Sequence, residues 1–250
     1  MHFFYSHYMS KLFLSFFLVS QLALTVLGQT AKVAATAPQK PITETLYQNA
    51  TELSQHLYNG QRYHIYDSRS KDHQFFQVED WRPGSFDYDG QHFENIPIMY
   101  DIVKDLVVIY YQGRSGLIQL QSERVSRFSY IDHHFVRIEQ NKALGTTVPT
   151  GFYDFLYDGK TKVVARWTKQ RQEQIESNRV NVYFLPKTFF HIQKEGEFHL
   201  VTSKKSALAL FGEHKKELKK HLREKRIKFR KNREQALITL ATHYDQLVHP

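Results

Sequence analysis

The 14 histidines of this sequence are the residues best suited to bind a metal ion or to transfer protons. None belongs to a His-Glu-x-x-His helix motif, and a strand would direct the adjacent His133 and His134 to opposite faces. A hairpin at Glu195-Gly196 would bring His191 and His199 close together. No third ligand accompanies them, so the sequence predicts no metal site and no cofactor.

Nucleophilic and acid–base chemistry have little support in the sequence. There is no cysteine, which excludes a cysteine nucleophile, a thiolate zinc site and disulfides. There is also no Gly-x-Ser-x-Gly elbow and no glycine-rich phosphate loop. Asp67, Asp101, Asp154 and Asp158 each follow a tyrosine, where aspartate usually forms a turn by bonding to nearby backbone. We therefore predict no catalytic residue.

Positive charge is concentrated near the carboxyl end. Residues 204–233 contain 13 Lys or Arg and 3 Glu, which leaves 21 basic and 22 acidic residues in the rest of the chain. The interpretations are a solvated helix face, binding to phosphates of anionic envelope lipids, and nucleic-acid binding. The candidate contacts with an anionic surface are Lys215, Lys216, Lys219, Lys220 and Arg223. Ile227 and Phe229, which lie between further cations, are expected to contact the core, and insertion into a surface is the alternative.

Short runs rich in Tyr, Phe, Val and Ile fill residues 63–201, and turn signals separate them. Asp89-Gly90, Asp158-Gly159 and Glu195-Gly196 predict hairpins, and such short connections favour antiparallel pairing of consecutive strands. Between residues 168 and 181 the chain is almost wholly polar, which indicates a long protruding hairpin or a frayed loop.

Helical spacing follows the strands. Ser203 is predicted to cap a short helix that ends at Gly212, and apolar stripes predict helical segments over residues 213–225 and 232–247. The fold class is therefore α+β: mainly an antiparallel meander sheet or half-barrel, with a short N-terminal helix and a C-terminal helical pair. The β body with its first helix is assigned to residues 42–201, and the basic helical region packed on the sheet to residues 202–250.

The amino end has the pattern of an export signal. Residues 1–28 combine an apolar run over 12–27 with small residues at Val26 and Gly28, and residues 29–41 resemble a flexible lead-in. An uncleaved anchor and a cytosolic start are the alternatives. Residues 43–58 carry leucines at helical spacing. Export without any cysteine favours a bacterial periplasm and excludes a lipid anchor on a cysteine after the signal.

Four motifs carry a resemblance to known sequences. They are WRPGSFDYDG at residues 81–90, NIPIMYD at 95–101, GFYDFLYDG at 151–159 and KFRKNRE at 228–234. Together they resemble a family of unknown function, formed by exported β-rich proteins of Gram-negative bacteria. The resemblance implies a bacterial protein of the envelope, and it carries over no activity and no catalytic residue.

These observations predict a non-enzymatic binding or scaffold protein of the periplasm or cell envelope. The expected partner is an anionic envelope lipid or another envelope protein, and nucleic acid is disfavoured because an exported protein seldom meets it. Two alternatives remain: a carrier that encloses a lipid or other apolar ligand in a curved sheet, and a hydrolase without a recognisable motif.

Overall fold

The computed structural model describes residues 57, 60–67, 70, 72–111, 116–140 and 148–248. The predicted signal segment and lead-in, and the helix predicted over residues 43–58 apart from Leu57, lie outside the described residues. None of the described helices is long and apolar enough to cross a membrane.

Eleven strands of the described chain form one antiparallel sheet. They are β1 (Gln61–Tyr63), β2 (Arg82–Tyr88), β3 (Gln91–Asp101), β4 (Leu106–Tyr111), β5 (Gly116–Gln119), β6 (Val125–Tyr130), β7 (His133–Ile138), β8 (Gly151–Asp158), β9 (Lys162–Glu176), β10 (Arg179–Lys194) and β11 (Glu197–Val201). The helices are α1 (Lys204–Ala209), α2 (Lys215–Glu224) and α3 (Arg233–Val248), and 3-10 turns occupy Ser122–Arg124 and Gly212–His214.

The strand order is β1-β5-β4-β3-β2-β6-β7-β8-β9-β10-β11. Consecutive strands pair within β2 to β5 and within β6 to β11, as a meander predicts, but β6 pairs with β2 and not with β5. Only residues 120–124 lead from β5 to β6. In a flat sheet these two strands would lie roughly 19 Å apart, because neighbouring strands are spaced by about 4.8 Å. A connection this short, which includes a 3-10 turn, therefore requires a curled sheet.

Ring contacts across the inner face confirm the curl. Tyr100 of β3 and Phe152 of β8 are separated by four strand spacings, yet their ring centroids lie 6.1 Å apart. The β3–β4 turn reaches the same strand, because Asp105 Oδ2 accepts a hydrogen bond from the Phe152 backbone N–H at 3.2 Å. The N–H of Lys169 on β9 donates to the Ile102 carbonyl at 3.3 Å. The described sheet is thus curled without closing into a barrel.

Aromatic side chains fill the interior of this curl. Phe128 and Phe135 stack with ring centroids 4.6 Å apart, and Tyr100 and Phe152 meet Phe128 edge-on at 4.9 and 5.1 Å. All four are at most 1% exposed. Burial and the neighbouring Asp105 raise the pKa of Tyr100 well above its ordinary value. Because the rings contact one another, the described interior gives the lipid-carrier alternative no support.

Among the described residues, helices cover the inner face at the β8–β11 end. Val163, Ala165 and Ile192 of the sheet pack in one cluster with Leu237 and Leu240 of α3 and with residues of the other helices. The region contains three α-helices: α1, which is the short helix predicted after Ser203, and the predicted pair, α2 and α3. The predicted cap of α1 is confirmed: the Ser206 N–H donates to Ser203 Oγ at 3.1 Å.

The polar stretch predicted as a protruding hairpin or a frayed loop is a hairpin. Strands β9 and β10 pair in continuous register from Lys162 and Gln193 to Glu176 and Arg179, beyond the part of the sheet that their neighbours cover. At the end of this β9–β10 hairpin Ile175 and Val180 face each other across the strands, 79% and 60% exposed.

Loss of the central ring should destabilise the curl strongly. We expect Phe128→Ala to lower the free energy of unfolding by about 3–5 kcal/mol, because the truncation leaves a cavity that the surrounding rigid rings cannot move in to fill. Phe189→Ala, at a half-buried position on the outer face of β10, is the control and should cost about 1 kcal/mol or less. Denaturant unfolding measures both. Equal losses would contradict an interior held by the aromatic cluster.

Candidate anionic-surface interface

Helix α2 is docked by a narrow apolar stripe. Leu218 and Leu222 lie four residues apart on one face and are fully buried, because each turn of helix returns them to the same side. All five cations predicted to contact an anionic surface are on the exposed part of this helix: Lys215, Lys216, Lys219, Lys220 and Arg223.

The segment after α2 continues the charged surface. Lys225, Arg226, Lys228, Arg230 and Lys231 are exposed. Between them Phe229 is 6% exposed and belongs to the core cluster, against which Ile227 also packs. The predicted core contact of both residues is therefore confirmed. The two apolar side chains hold the segment against the body, so that its cations face water.

The end of α2 is closed by a Schellman motif. The Ile227 N–H donates to the Leu222 carbonyl at 3.0 Å, and the Arg226 N–H donates to the Arg223 carbonyl at 2.9 Å. Arg226 occupies the left-handed position of this motif, with φ 55°, where glycine is usual. A bulky cation therefore stands where backbone geometry would favour a residue without a side chain.

A pair of histidines joins α2 to α3. The rings of His221 and His243 stack with centroids 3.8 Å apart and an interplanar angle of 11°. Partial burial, with a smaller contribution from the charge that His243 can carry, lowers the pKa of His221. The stack is thus most favourable when His221 is neutral. It adds to the contacts that hold α2 against α3.

Ten exposed cations form what we call the basic surface: Lys215, Lys216, Lys219, Lys220, Arg223, Lys225, Arg226, Lys228, Arg230 and Lys231. Lys220 has an ion pair, with Glu224 at 3.7 Å, and both partners are exposed. Within the described part of the chain no other member has a carboxylate within salt-bridge distance. The basic surface therefore carries a largely uncompensated positive charge.

The adjacent histidines of β7, His133 and His134, lie on opposite faces of the sheet. His133 Nδ1 lies 2.6 Å from the buried Asp154 on the inner face, whereas His134 Nδ1 lies 2.9 Å from Ser129 Oγ on the outer face. A hydrolase triad needs one histidine between the acid and the nucleophile. Here His133 and His134 point to opposite sides of β7, as predicted. The acid, Asp154, and the hydroxyl group of Ser129 therefore contact different histidines, which argues against a serine hydrolase at this place.

The expected convergence of His191 and His199 is wrong. The turn pairs Lys194 with Glu197, so that His191 pairs with Leu200 and the two histidines point to opposite faces. Burial, and then the nearby Arg166, lowers the pKa of His191 to about 4, and its Nδ1 has no hydrogen-bond partner among the described residues. Across these residues no group of three or more His, Asp or Glu side chains could hold a metal ion.

The four aspartates that follow tyrosines have separate structural partners. Asp101 Oδ1 accepts from the backbone N–H groups of residues 103 and 104 at 2.9 and 3.0 Å, as expected of a turn former. Asp154 Oδ2 accepts from the Trp167 indole N–H at 2.9 Å. Asp67 pairs with Arg171, and Asp158 pairs with Lys162. No two of these carboxylates share a described hydrogen-bond partner.

The chain matches no protein-family model, no curated protein and no solved structure. The resemblance to exported proteins of Gram-negative bacteria therefore stays a prediction. The sequence predicts the five cations on α2 as surface contacts but does not single out the five that follow, although all ten lie within the basic residues 204–233. The signal that separates these five is the alternation with Ile227 and Phe229, which marks the segment as ordered.

The His133–Asp154 pair predicts a pH-dependent contribution to stability. The hydrogen bond to Asp154 raises the pKa of His133 above 6.5, so the charged pair stabilises the fold fully below that pH and less as the pH rises through the folded-state pKa. We expect the difference in unfolding free energy between the wild type and His133→Gln to shrink between about pH 5 and about pH 9. A difference that stays constant or grows with pH would contradict this assignment, and NMR titration of His133 gives its pKa directly.

Proposed function

We propose that the protein is a non-enzymatic envelope protein that binds an anionic lipid surface through the basic surface of α2 and the segment that follows it. The observation that carries this proposal is the exposure of ten cations on one ordered segment with a single described ion pair. The export pattern of residues 1–28 supports the periplasmic or envelope location that the proposal includes.

The distribution of charge favours oriented binding. Outside residues 204–233 the chain is nearly neutral, with 21 basic and 22 acidic residues. An anionic surface would therefore attract one side of the molecule, and the attraction would fall off within about 10 Å at moderate salt. Each cation close to such a surface contributes about 1 kcal/mol.

The kind of cation favours a lipid surface over nucleic acid. Seven of the ten are lysines, which act as mobile point charges, and only three are arginines, which suit bidentate contacts with bases and phosphates. The aromatic residue of the segment, Phe229, is buried in the core and cannot stack on a base. These features suit attraction to many headgroups more than the recognition of a defined polyanion.

Removal of charge from α2 should weaken binding to vesicles. We expect the variant with Lys215, Lys216, Lys219 and Lys220 all changed to Gln to bind phosphatidylglycerol-containing vesicles on the order of several hundredfold more weakly, given about 1 kcal/mol per lysine. Vesicle co-sedimentation measures the partition coefficient. Binding of the wild type should also fall steeply when salt is raised, because screening shortens the range of the attraction.

The control variant changes Arg62, Lys160, Arg179 and Lys187 to Gln, which removes the same charge from exposed positions elsewhere. It should bind nearly as the wild type does. An equal loss in both variants would show that only net charge matters. Absence of vesicle binding in the wild type, with tight binding to duplex DNA at the same salt, would replace the lipid proposal with nucleic-acid binding.

Arg226 offers a test that separates binding from stability. Arg226→Gly should raise the free energy of unfolding by about 1 kcal/mol, since glycine adopts the left-handed conformation without a steric penalty. The same variant should bind anionic vesicles about fivefold more weakly, because it loses one cation. Arg226→Lys keeps the charge and should leave vesicle binding unchanged without the gain in stability. A more stable glycine variant that binds as well as the wild type would contradict a role for this cation.

A further inference from the structure

A groove lined by both polar and apolar groups crosses the outer face of the sheet, opposite the aromatic interior. Two open depressions of 730 and 540 Å³ form it, and they share Ser85, Ser129 and His134. We call these two adjoining depressions the outer groove. Its volume is in the range of sites that hold small organic ligands.

Strand register aligns two rows of side chains in this groove. One row runs across β3, β2, β6 and β7 as His92, Asp87, Arg127 and Val136, each paired with the next. The second row lies two residues further along each strand, on the same face, and consists of Ser85, Ser129 and His134. Phe155 lines the same groove. Charged groups, hydroxyl groups and apolar surface therefore lie side by side.

Internal contacts hold the polar groups in place. Asp87 is only 15% exposed and accepts hydrogen bonds from His92 Nδ1 and Arg127 Nε, which together lower its pKa. The terminal guanidinium nitrogens of Arg127 have no partner among the described residues, and the side chain is 71% exposed. His134 is held by Ser129 through Nδ1, so that its Nε2 remains available for a ligand in the described structure.

The position of the groove restricts the class of ligand. Strands β2, β6 and β7 are paired on both sides, so their backbone groups cannot pair with an added peptide strand, and only side chains can recognise a ligand. The groove is lined by four carboxylates, Asp87, Glu94, Asp132 and Asp158, and by one arginine, which disfavours a polyanion. Adjacent donors and acceptors suit hydroxyl groups, which both donate and accept, and Val136 with Phe155 suits the C–H face of a sugar ring.

We propose that the outer groove binds a neutral oligosaccharide. Arg127 and His134 would donate to adjacent hydroxyl groups, and Phe155 would contact the apolar side of a ring. This site is separate from the basic surface in residues and in chemistry. It therefore does not depend on the lipid-binding proposal, and the variant with four α2 lysines changed to Gln should keep its sugar affinity.

The test uses the full chain and three neutral probes, N,N′,N″-triacetylchitotriose, maltotriose and cellotriose, in isothermal titration calorimetry. We expect at least one to bind with a Kd of about 1 mM or tighter. Arg127→Ala and His134→Ala should each weaken that binding about tenfold, as expected for the loss of a hydrogen bond to a charged or polar group. Arg124→Ala is the matched control, because Arg124 is an exposed arginine paired with Asp89 outside the groove.

Three results would overturn the proposal. The first is that none of the three probes binds at the expected affinity. The second is sugar binding that Arg127→Ala and His134→Ala leave unchanged, which would place the ligand elsewhere. The third is displacement of the sugar by inorganic phosphate in a manner that depends on Arg127, which would identify an anion site instead.

Discussion

Burial of one aromatic face of a single sheet is the constraint on which the rest of the structure depends. The helices lie over the inner face at the β8–β11 end, whereas the rest of the inner face is covered by the sheet itself and by Phe76 of the segment between β1 and β2. An antiparallel sheet commonly keeps one face in water, but its other, apolar face must be buried. The curl solves this for β2 to β8, because rings from strands that would be far apart in a flat sheet, such as Tyr100 and Phe152, come into contact.

The two candidate surfaces follow from this arrangement. Side chains alternate along each strand, so inward-facing rings such as Phe86, Phe128 and Phe135 place polar residues on the outside, where they form the outer groove. Helix α2 contributes a narrow apolar stripe of two leucines to the core. Most of its circumference is therefore free to carry charge, and the same cluster that buries Phe229 fixes the charged segment after it.

The sequence predicts the local elements well because their signals are local. Asp89-Gly90 marks its hairpin, Ser203 caps its helix, and Val163, Ala165 and Trp167 lie on one face as alternation requires. The pairing of β6 with β2 has no such signal, because it depends on the curl and hence on contacts between distant residues. The outer groove escaped prediction for the same reason: Asp87, Arg127 and His92 lie next to one another only through the register of three strands. The error at His191 and His199 was one of register, since a shift of one residue reverses the face.

The chain contains no cysteine, so a single introduced cysteine gives a unique spin label. The central claim about function is that the basic surface faces an anionic bilayer. The most direct measurement of it compares spin labels at Glu217→Cys on α2 and at Gln174→Cys on the β9–β10 hairpin, both exposed positions. Electron paramagnetic resonance, with a relaxing agent attached to the lipid headgroups of phosphatidylglycerol-containing vesicles, reports which label approaches the bilayer. Binding through the basic surface predicts strong relaxation at position 217 and little at position 174. Vesicle-bound protein with the opposite pattern, or with equal relaxation at both sites, would contradict it.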